Sequence, residues 1–176
     1  MKSAIQGMVY YLDRPNIDTD QIIPAKYLTG VSISGLGSHL FENLDLQGFN
    51  REDPRFKDTT ILVTGDNFGC GSSREHAVWA LEDEGFQVVI APSFARIFRQ
   101  NMFSRGLLAI ELPAEQIAKI FASHWENCQV NLEKTTLRFW SGEDQETGHT
   151  YNFQLADFDK GLVLQGGLVG FVARNY

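Results

Sequence analysis

Apolar positions along the chain fall into short blocks separated by glycine, proline and polar residues, and the spacing inside each block sets the element it predicts. Ala4 to Tyr11 reads as an opening strand. Thr59-Thr60-Ile61-Leu62-Val63-Thr64 predicts a buried strand, Gln87 to Ala91 a second and Leu107 to Glu111 a third. Helical spacing fills the gaps between them. Ser73 to Glu84 places Ala77, Val78, Ala80 and Leu81 on one face, with Gly85 following as a C-cap. Ser93 to Phe103 is a second helix, ended by Arg105 and Gly106, and Pro113 to Ser123 a third with proline at its start. The order from Thr59 to Ser123 is therefore β-α-β-α-β-α, which predicts a parallel sheet. Gln129 to Asn131, Leu137 to Trp140 and Thr150 to Phe153 then predict antiparallel strands, the last two joined by an acidic turn, Ser141 to His149. The tail, Asp157 to Phe171, mixes helix and turn around Gly166-Gly167. The expected fold class is α/β, a mixed and partly parallel sheet flanked by helices, in one domain over residues 1–176.

Two stretches break this rhythm. Asp13 to Ala25 is a polar loop with Pro15 and Pro24 as breakers. Tyr27 to Gly48 carries Gly30, Ser32, Ser34, Gly35, Gly37 and Ser38, with a short helix expected over Phe41 to Leu46. A loop of that length in a small domain is functional or mobile.

Composition narrows the function. An apolar fraction of 43% supports a real core, and a net charge of -7 argues against a general nucleic-acid binder, which needs a basic face. Apolar runs fall short of the roughly 20 residues of a membrane span. The start, Met1 to Gly7, lacks the apolar core of a signal peptide, so the expected location is cytoplasmic. Two cysteines, Cys70 and Cys128, cannot frame a disulfide scaffold, hold a structural zinc alone or ligate an iron–sulfur cluster unaided.

Candidate chemistry concentrates at Gly65-Asp66-Asn67-Phe68-Gly69-Cys70-Gly71-Ser72-Ser73-Arg74-Glu75-His76, where a strand end meets a helix start. Free backbone N–H groups and the positive end of a helix dipole face a ligand there. Ser72-x-x-Glu75 also spells a capping box, in which the hydroxyl caps the helix and Glu75 reaches back. Arg74 disturbs that reading, because a cation in the first helical turn faces the positive dipole end. A bound anion removes the conflict by taking N–H, hydroxyl and forked guanidinium bonds. Gly69-x-Gly71-x-x-Arg74 is not a dinucleotide fingerprint, and neither a P-loop nor GxSxG is present. Cys70 with His76 suggests a thiol nucleophile only weakly, since no orienting acid is evident. Asp18 and Asp20 are either metal ligands outside any EF-hand pattern or Asx-turn residues. Arg96, Arg99 and Arg105 read as a solvated helix face, Arg96 least clearly because Phe94, Ala95, Ile97 and Phe98 surround it. His39, His124 and His149 read as surface or packing side chains.

Three segments in order carry a resemblance: Asn16 to Leu28 (NIDTDQIIPAKYL), Gly65 to Ala77 (GDNFGCGSSREHA) and Ser93 to Asn101 (SFARIFRQN). Together they resemble the swivel domain of the aconitase superfamily, in the form of the separate small subunits of the isopropylmalate dehydratase and homoaconitase families. The resemblance covers nearly the whole chain. It implies a swivelling β/β/α layered domain and a hydro-lyase chemistry: dehydration of a hydroxy-acid to an alkene, then rehydration at the neighbouring carbon. It also implies a four-iron four-sulfur cluster held by a large subunit, with no metal on this chain and that large subunit as partner. Position by position, the resemblance makes Ser72 the proton-abstracting base. Ser73 and Arg74 become substrate carboxylate binders, Asp20 an active-site acid, and Thr19 its support. The loop over residues 27–48 is where such proteins tune the substrate. Relatives acting on tricarboxylates resemble one another in carrying an arginine there; here Thr29, Val31 and Ile33 follow, and no Lys or Arg occurs between Thr29 and Asn50. Val31, Ile33 and Leu36 then suit an isopropyl group. That implies interconversion of 2- and 3-isopropylmalate through 2-isopropylmaleate, in leucine biosynthesis. Homoaconitate and methylmalate or citraconate substrates are the alternatives. A stand-alone carboxylate- or phosphate-binding module and a thiol enzyme built on Cys70 are readings of another class.

Overall fold

A computed structural model describes residues 3–29 and 32–176. Among these residues seven strands form one sheet in the order β4-β3-β2-β1-β5-β6-β7. Strands β1 (Ala4–Leu12), β2 (Thr59–Thr64), β3 (Val88–Ala91) and β4 (Leu108–Glu111) run parallel. Strands β5 (Asn127–Asn131), β6 (Thr136–Trp140) and β7 (His149–Asn152) continue antiparallel from the other edge of β1. The expected mixed sheet forms, with strand boundaries within two residues of those read from the pattern.

The two halves are built differently. β2 and β3 are buried along almost their whole length, because helices and loops cover both faces. β5 and β6 alternate inward Cys128, Val130, Leu137 and Phe139 with partly exposed polar residues, as a one-sided sheet requires. The neighbours Tyr10 and Tyr11 show both faces of β1. Tyr10 meets Phe56 edge-to-face at 5.2 Å, in an aromatic cluster with Phe41, Phe49 and Phe86. Tyr11 packs on Phe121 and His124 at the end of the helix Ala114–Ser123.

Helices α1 (Thr19–Ile22) and α2 (Pro54–Lys57) are single turns. α3 (Glu75–Glu84), α4 (Arg96–Ser104) and α5 (Ala114–Ser123) follow β2, β3 and β4, and α6 (Asp157–Leu164) and α7 (Leu168–Asn175) close the chain against α4. Three expectations change. The supposed polar loop at 13–25 contains α1, because Asp18 and Gln21 complete a reciprocal capping box there. No helix spans Phe41 to Leu46. Phe41 is left-handed at φ 61°, donates its N–H to the Ile22 carbonyl and turns its ring into the aromatic cluster. The local helical turn is instead a 3-10 turn at Leu36–His39. α3 begins at Glu75, two residues later than its pattern suggests, because Arg74 is still extended.

Candidate active site

The three quoted segments leave the ends of β1, β2 and β3 side by side, and the structure stitches them in that order. Asn16 donates its N–H to the Asp66 carbonyl at 2.7 Å, Gly69 to Ile17 at 2.9 Å and Thr19 to Cys70 at 2.9 Å. On the other side Phe68 donates to the Ser93 carbonyl and Ala95 to that of Phe68. Ser93 Oγ accepts the Asn67 N–H at 2.9 Å and donates to the Asp66 carboxylate. Single parallel bridges, Asp18 to Cys70 and Phe68 to Phe94, extend the sheet's pairing into these loops. Ligands in parallel α/β sheets bind outside the carboxyl ends of the strands, which is where this assembly stands.

A cleft of about 460 Å³ opens here, walled by the 69–74 turn, Thr19 and the first turn of α4. Gly69 is required twice over. Its φ of 82° is left-handed, and a Cβ would stand 2.2 Å from Phe98 Cγ on α4. Beyond it, Gly71 at φ 91° turns the chain so that Ser72 and Ser73 are exposed toward the cleft.

Ser72 does not cap α3. The N-cap is Arg74, at φ −128° and ψ 108°, with no side-chain cap bond, and among the described residues neither Ser72 nor Ser73 makes a side-chain hydrogen bond. The expected capping box with Glu75 therefore does not form; with Arg74 extended, the helix starts at Glu75 and Ser72 lies two residues before its N-cap. The consequence is a hydroxyl left free at an uncapped helix N-terminus, where donors and dipole favour negative charge.

Arg74 reaches back over α1. Its Nη1 lies 3.4 Å from Asp20 Oδ1 and 3.5 Å from the Ile23 carbonyl. Asp20 also accepts the Ala25 N–H at 3.2 Å and faces Asn43 Nδ2 at 3.4 Å. The Ala25 N–H first, then Arg74 and Asn43, hold the Asp20 carboxyl below its ordinary range. Thr19 is buried behind the turn and lines the cleft. Ser72, Ser73, Arg74 and Thr19 thus share one cleft, and Asp20 touches it through Arg74.

The loop residues behave otherwise. Thr29 and Ile33 are not among the cleft walls, Val31 lies outside the described residues, and Leu36 is buried in the core. The loop is lashed down by Asp83 on α3, whose carboxylate accepts the Gly35 and Gly37 N–H groups, and by a Tyr27–His39 stack at 3.8 Å. Arg51, the first cation after Thr29, is spent on the Leu40 and Gly37 carbonyls.

Cys70 does not form a thiol dyad. Burial, then the Asp18 charge, pushes its thiol up, and the His76 ring lies against Trp79 at 4.5 Å. Cys128 is buried in β5, and burial pushes its thiol up strongly. Among the described residues no group of three or more His, Cys, Asp or Glu is placed to hold a metal, and no helix is long and apolar enough to cross a membrane. Arg96 and Gln100, which lie inside the quoted Ser93–Asn101 segment but were given no role there, also wall the cleft. Only the apolar setting of Arg96 had hinted at it.

Comparison with known proteins matches residues 3–115 to the aconitase C-terminal domain. The chain is 42% identical to the 3-isopropylmalate dehydratase small subunit of Leptospira interrogans, covering 93% of this chain and 83% of that one. It is 47% identical to the small subunit of the same name from Dinoroseobacter shibae, covering 93% and 84%. The crystal structure of 3-isopropylmalate dehydratase (leuD) from Methanocaldococcus jannaschii superposes with a TM-score of 0.77 at 29% identity, over 97% of this chain and 94% of that one.

Proposed function

The chain belongs to the aconitase C-terminal domain family, and on that premise we propose that it is the small subunit of a 3-isopropylmalate dehydratase, a hydro-lyase that works as part of a complex. The observation that carries the mechanism is the free Ser72 hydroxyl in one cleft with Arg74, the N-cap residue of α3. Ser72 Oγ takes the proton from the carbon beside the departing hydroxyl; that hydroxyl would leave as water, protonated by an acid of the large subunit and polarised by the Lewis-acidic iron of the large subunit's cluster, and Ser72 returns its proton to the alkene as water adds at the neighbouring carbon. A serine alkoxide is costly at neutral pH; the N–H groups opening α3 and the Arg74 guanidinium supply the positive potential that offsets it. Ser73 and Arg74 bind a substrate carboxylate. Asp20 stays ionised and fixes the Arg74 fork, and buried Thr19 sets the height of the turn through its bond to Cys70.

The four-iron four-sulfur cluster of this reading belongs to the large subunit. The two thiols of this chain, one of them buried in the sheet, do not make a ligand set for it. The substrate is a hydroxy-dicarboxylate with an apolar branch, because Arg51 is committed and no other Lys or Arg lies between Thr29 and Glu52. A tricarboxylate would leave a carboxylate without a partner from this chain. We place the whole chain, as one swivel domain, in the cytoplasm.

Ser72→Ala in the complex reconstituted with its large subunit tests this. Turnover of 3-isopropylmalate falls by about 10²- to 10⁴-fold while assembly survives. A Cys70→Ala variant keeps its turnover. Full activity in Ser72→Ala, or preference of the native complex for a tricarboxylate, overturns the reading.

A further inference from the structure

We propose that Arg96 binds a second carboxylate of the substrate, across the cleft from Arg74; the assignment rests on the dehydratase reading above. Charge along the cleft motivates it. Arg74 and Arg96 are the charged side chains among the described walls. Arg74 is countered by Asp20 at 3.4 Å, so the Ser72 turn with its own partners is close to neutral. A dicarboxylate brings two negative charges, and Ser72 must in addition develop one. That demand exceeds what Arg74 can meet while paired.

Arg96 stands apart from the other arginines of its neighbourhood. Arg99, one turn on, lies 3.6 Å from Glu111 and 3.9 Å from Asp159. Arg105 pairs with Glu82 at 2.7 Å. Among the described residues Arg96 forms no ion pair and no side-chain hydrogen bond, and it is exposed on the cleft wall. It also opens α4, whose N-cap Ala95 offers no side-chain oxygen. A cation at the positive end of an uncapped helix is mildly unfavourable by itself, and becomes favourable when an anion shares both. The backbone holds the guanidinium's base firmly: Ala95 donates to the Phe68 carbonyl, and Phe98 packs on Gly69 and on Phe68 at 5.4 Å. Arg96 and Ser72 are therefore carried by two loops that are bonded to each other. Gln100, one turn further along α4, adds a neutral donor on the same wall.

The test uses the complex of this chain with its large subunit. Arg96→Gln raises KM for 3-isopropylmalate about 10- to 100-fold, the loss expected for a hydrogen bond between charged groups, with kcat changed only a few-fold. Arg96→Lys recovers part of that, as a point charge without the fork. Malate inhibits Arg96→Gln correspondingly less well than wild type, whereas one of its two monoamides inhibits both equally. Unchanged KM in Arg96→Gln overturns the proposal. So does weaker assembly in sedimentation with normal KM in the assembled fraction, which makes Arg96 an interface residue. A wild-type complex inert on isopropylmalate sinks the dehydratase reading itself, and the assignment with it.

Discussion

The parallel and antiparallel halves of the sheet share one strand, β1, yet only the parallel half carries the candidate site. In the parallel half all four strands point the same way, so their carboxyl ends gather Asn16–Thr19, Gly65–Arg74 and Ser93–Arg96 along one rim. In the antiparallel half successive strands reverse, and their connections divide between opposite ends. The tight turn at 132–135 and the acidic turn at 141–148 bring no cleft residue together. The lesson is that strand direction, more than composition, decides where a site can assemble: serines, arginines and acids occur in both halves.

Substitutions can break that division, and the largest effect belongs to the rim. Gly69→Ala places a methyl against Phe98 and strains a left-handed residue. A displacement of about 1 Å at Ser72 costs about 100-fold in turnover, measured in the reconstituted complex with circular dichroism to confirm folding. Wild-type turnover in that variant would show that the rim tolerates movement. In the other half, Leu137 is fully buried and paired with Val130 and Tyr151. Leu137→Ala lowers unfolding free energy by about 2–5 kcal/mol in urea titration but leaves kcat of the folded complex unchanged. A fall in kcat beyond the folded fraction would join the halves functionally.

Smaller effects sharpen the comparison within the rim. Asp20 titrates below its ordinary value of 3.8 in the folded chain. The stability it lends is therefore complete above that ordinary value and is lost as pH falls through the lower folded one. Since the side chain is half exposed, the contribution is small. Asp20→Asn flattens this acid limb in pH-dependent unfolding, and at neutral pH raises KM several-fold by releasing the Arg74 fork. An unaltered KM would leave Arg74 positioned by other groups. The smallest effect is expected of Thr29→Arg, which adds a cation at the exposed start of the loop. It should shift the ratio of homoaconitate to isopropylmalate turnover upward by a few-fold; no shift would move specificity to the large subunit.

How much was legible in the sequence varies by region. The β-α-β order and the strand alternation were readable because burial on two faces or one leaves a periodic trace. The candidate site's three segments were readable as motifs, and the structure sets Ser72, Ser73, Arg74 and Thr19 of these segments on one cleft, with Asp20 reaching it through Arg74. The Asp18–Gln21 capping box hid in plain spacing, because an Asp in a polar loop reads equally well as a metal ligand or an Asx-turn residue. Ser72-x-x-Glu75 had the same spacing and no cap, because Arg74 stays extended and α3 starts at Glu75, leaving Ser72 two residues before the N-cap. The spacing alone does not distinguish the two. The apolar neighbours of Arg96 set it apart in the sequence, but its lack of a partner was not legible: whether an arginine is paired depends on acids brought up by distant strands and helices.

The sequence by itself determined the elements, the mixed sheet and the identity of the motif residues, since these follow from local sterics and from the periodic exchange of apolar surface with water. Tertiary structure alone decided that Arg74 is held by Asp20 and that, among the described residues, Ser72 and Arg96 have no side-chain partner on the same cleft. Those facts depend on hydrogen bonds and charges between segments dozens of residues apart, and only the packed sheet edge brings such segments within bonding distance.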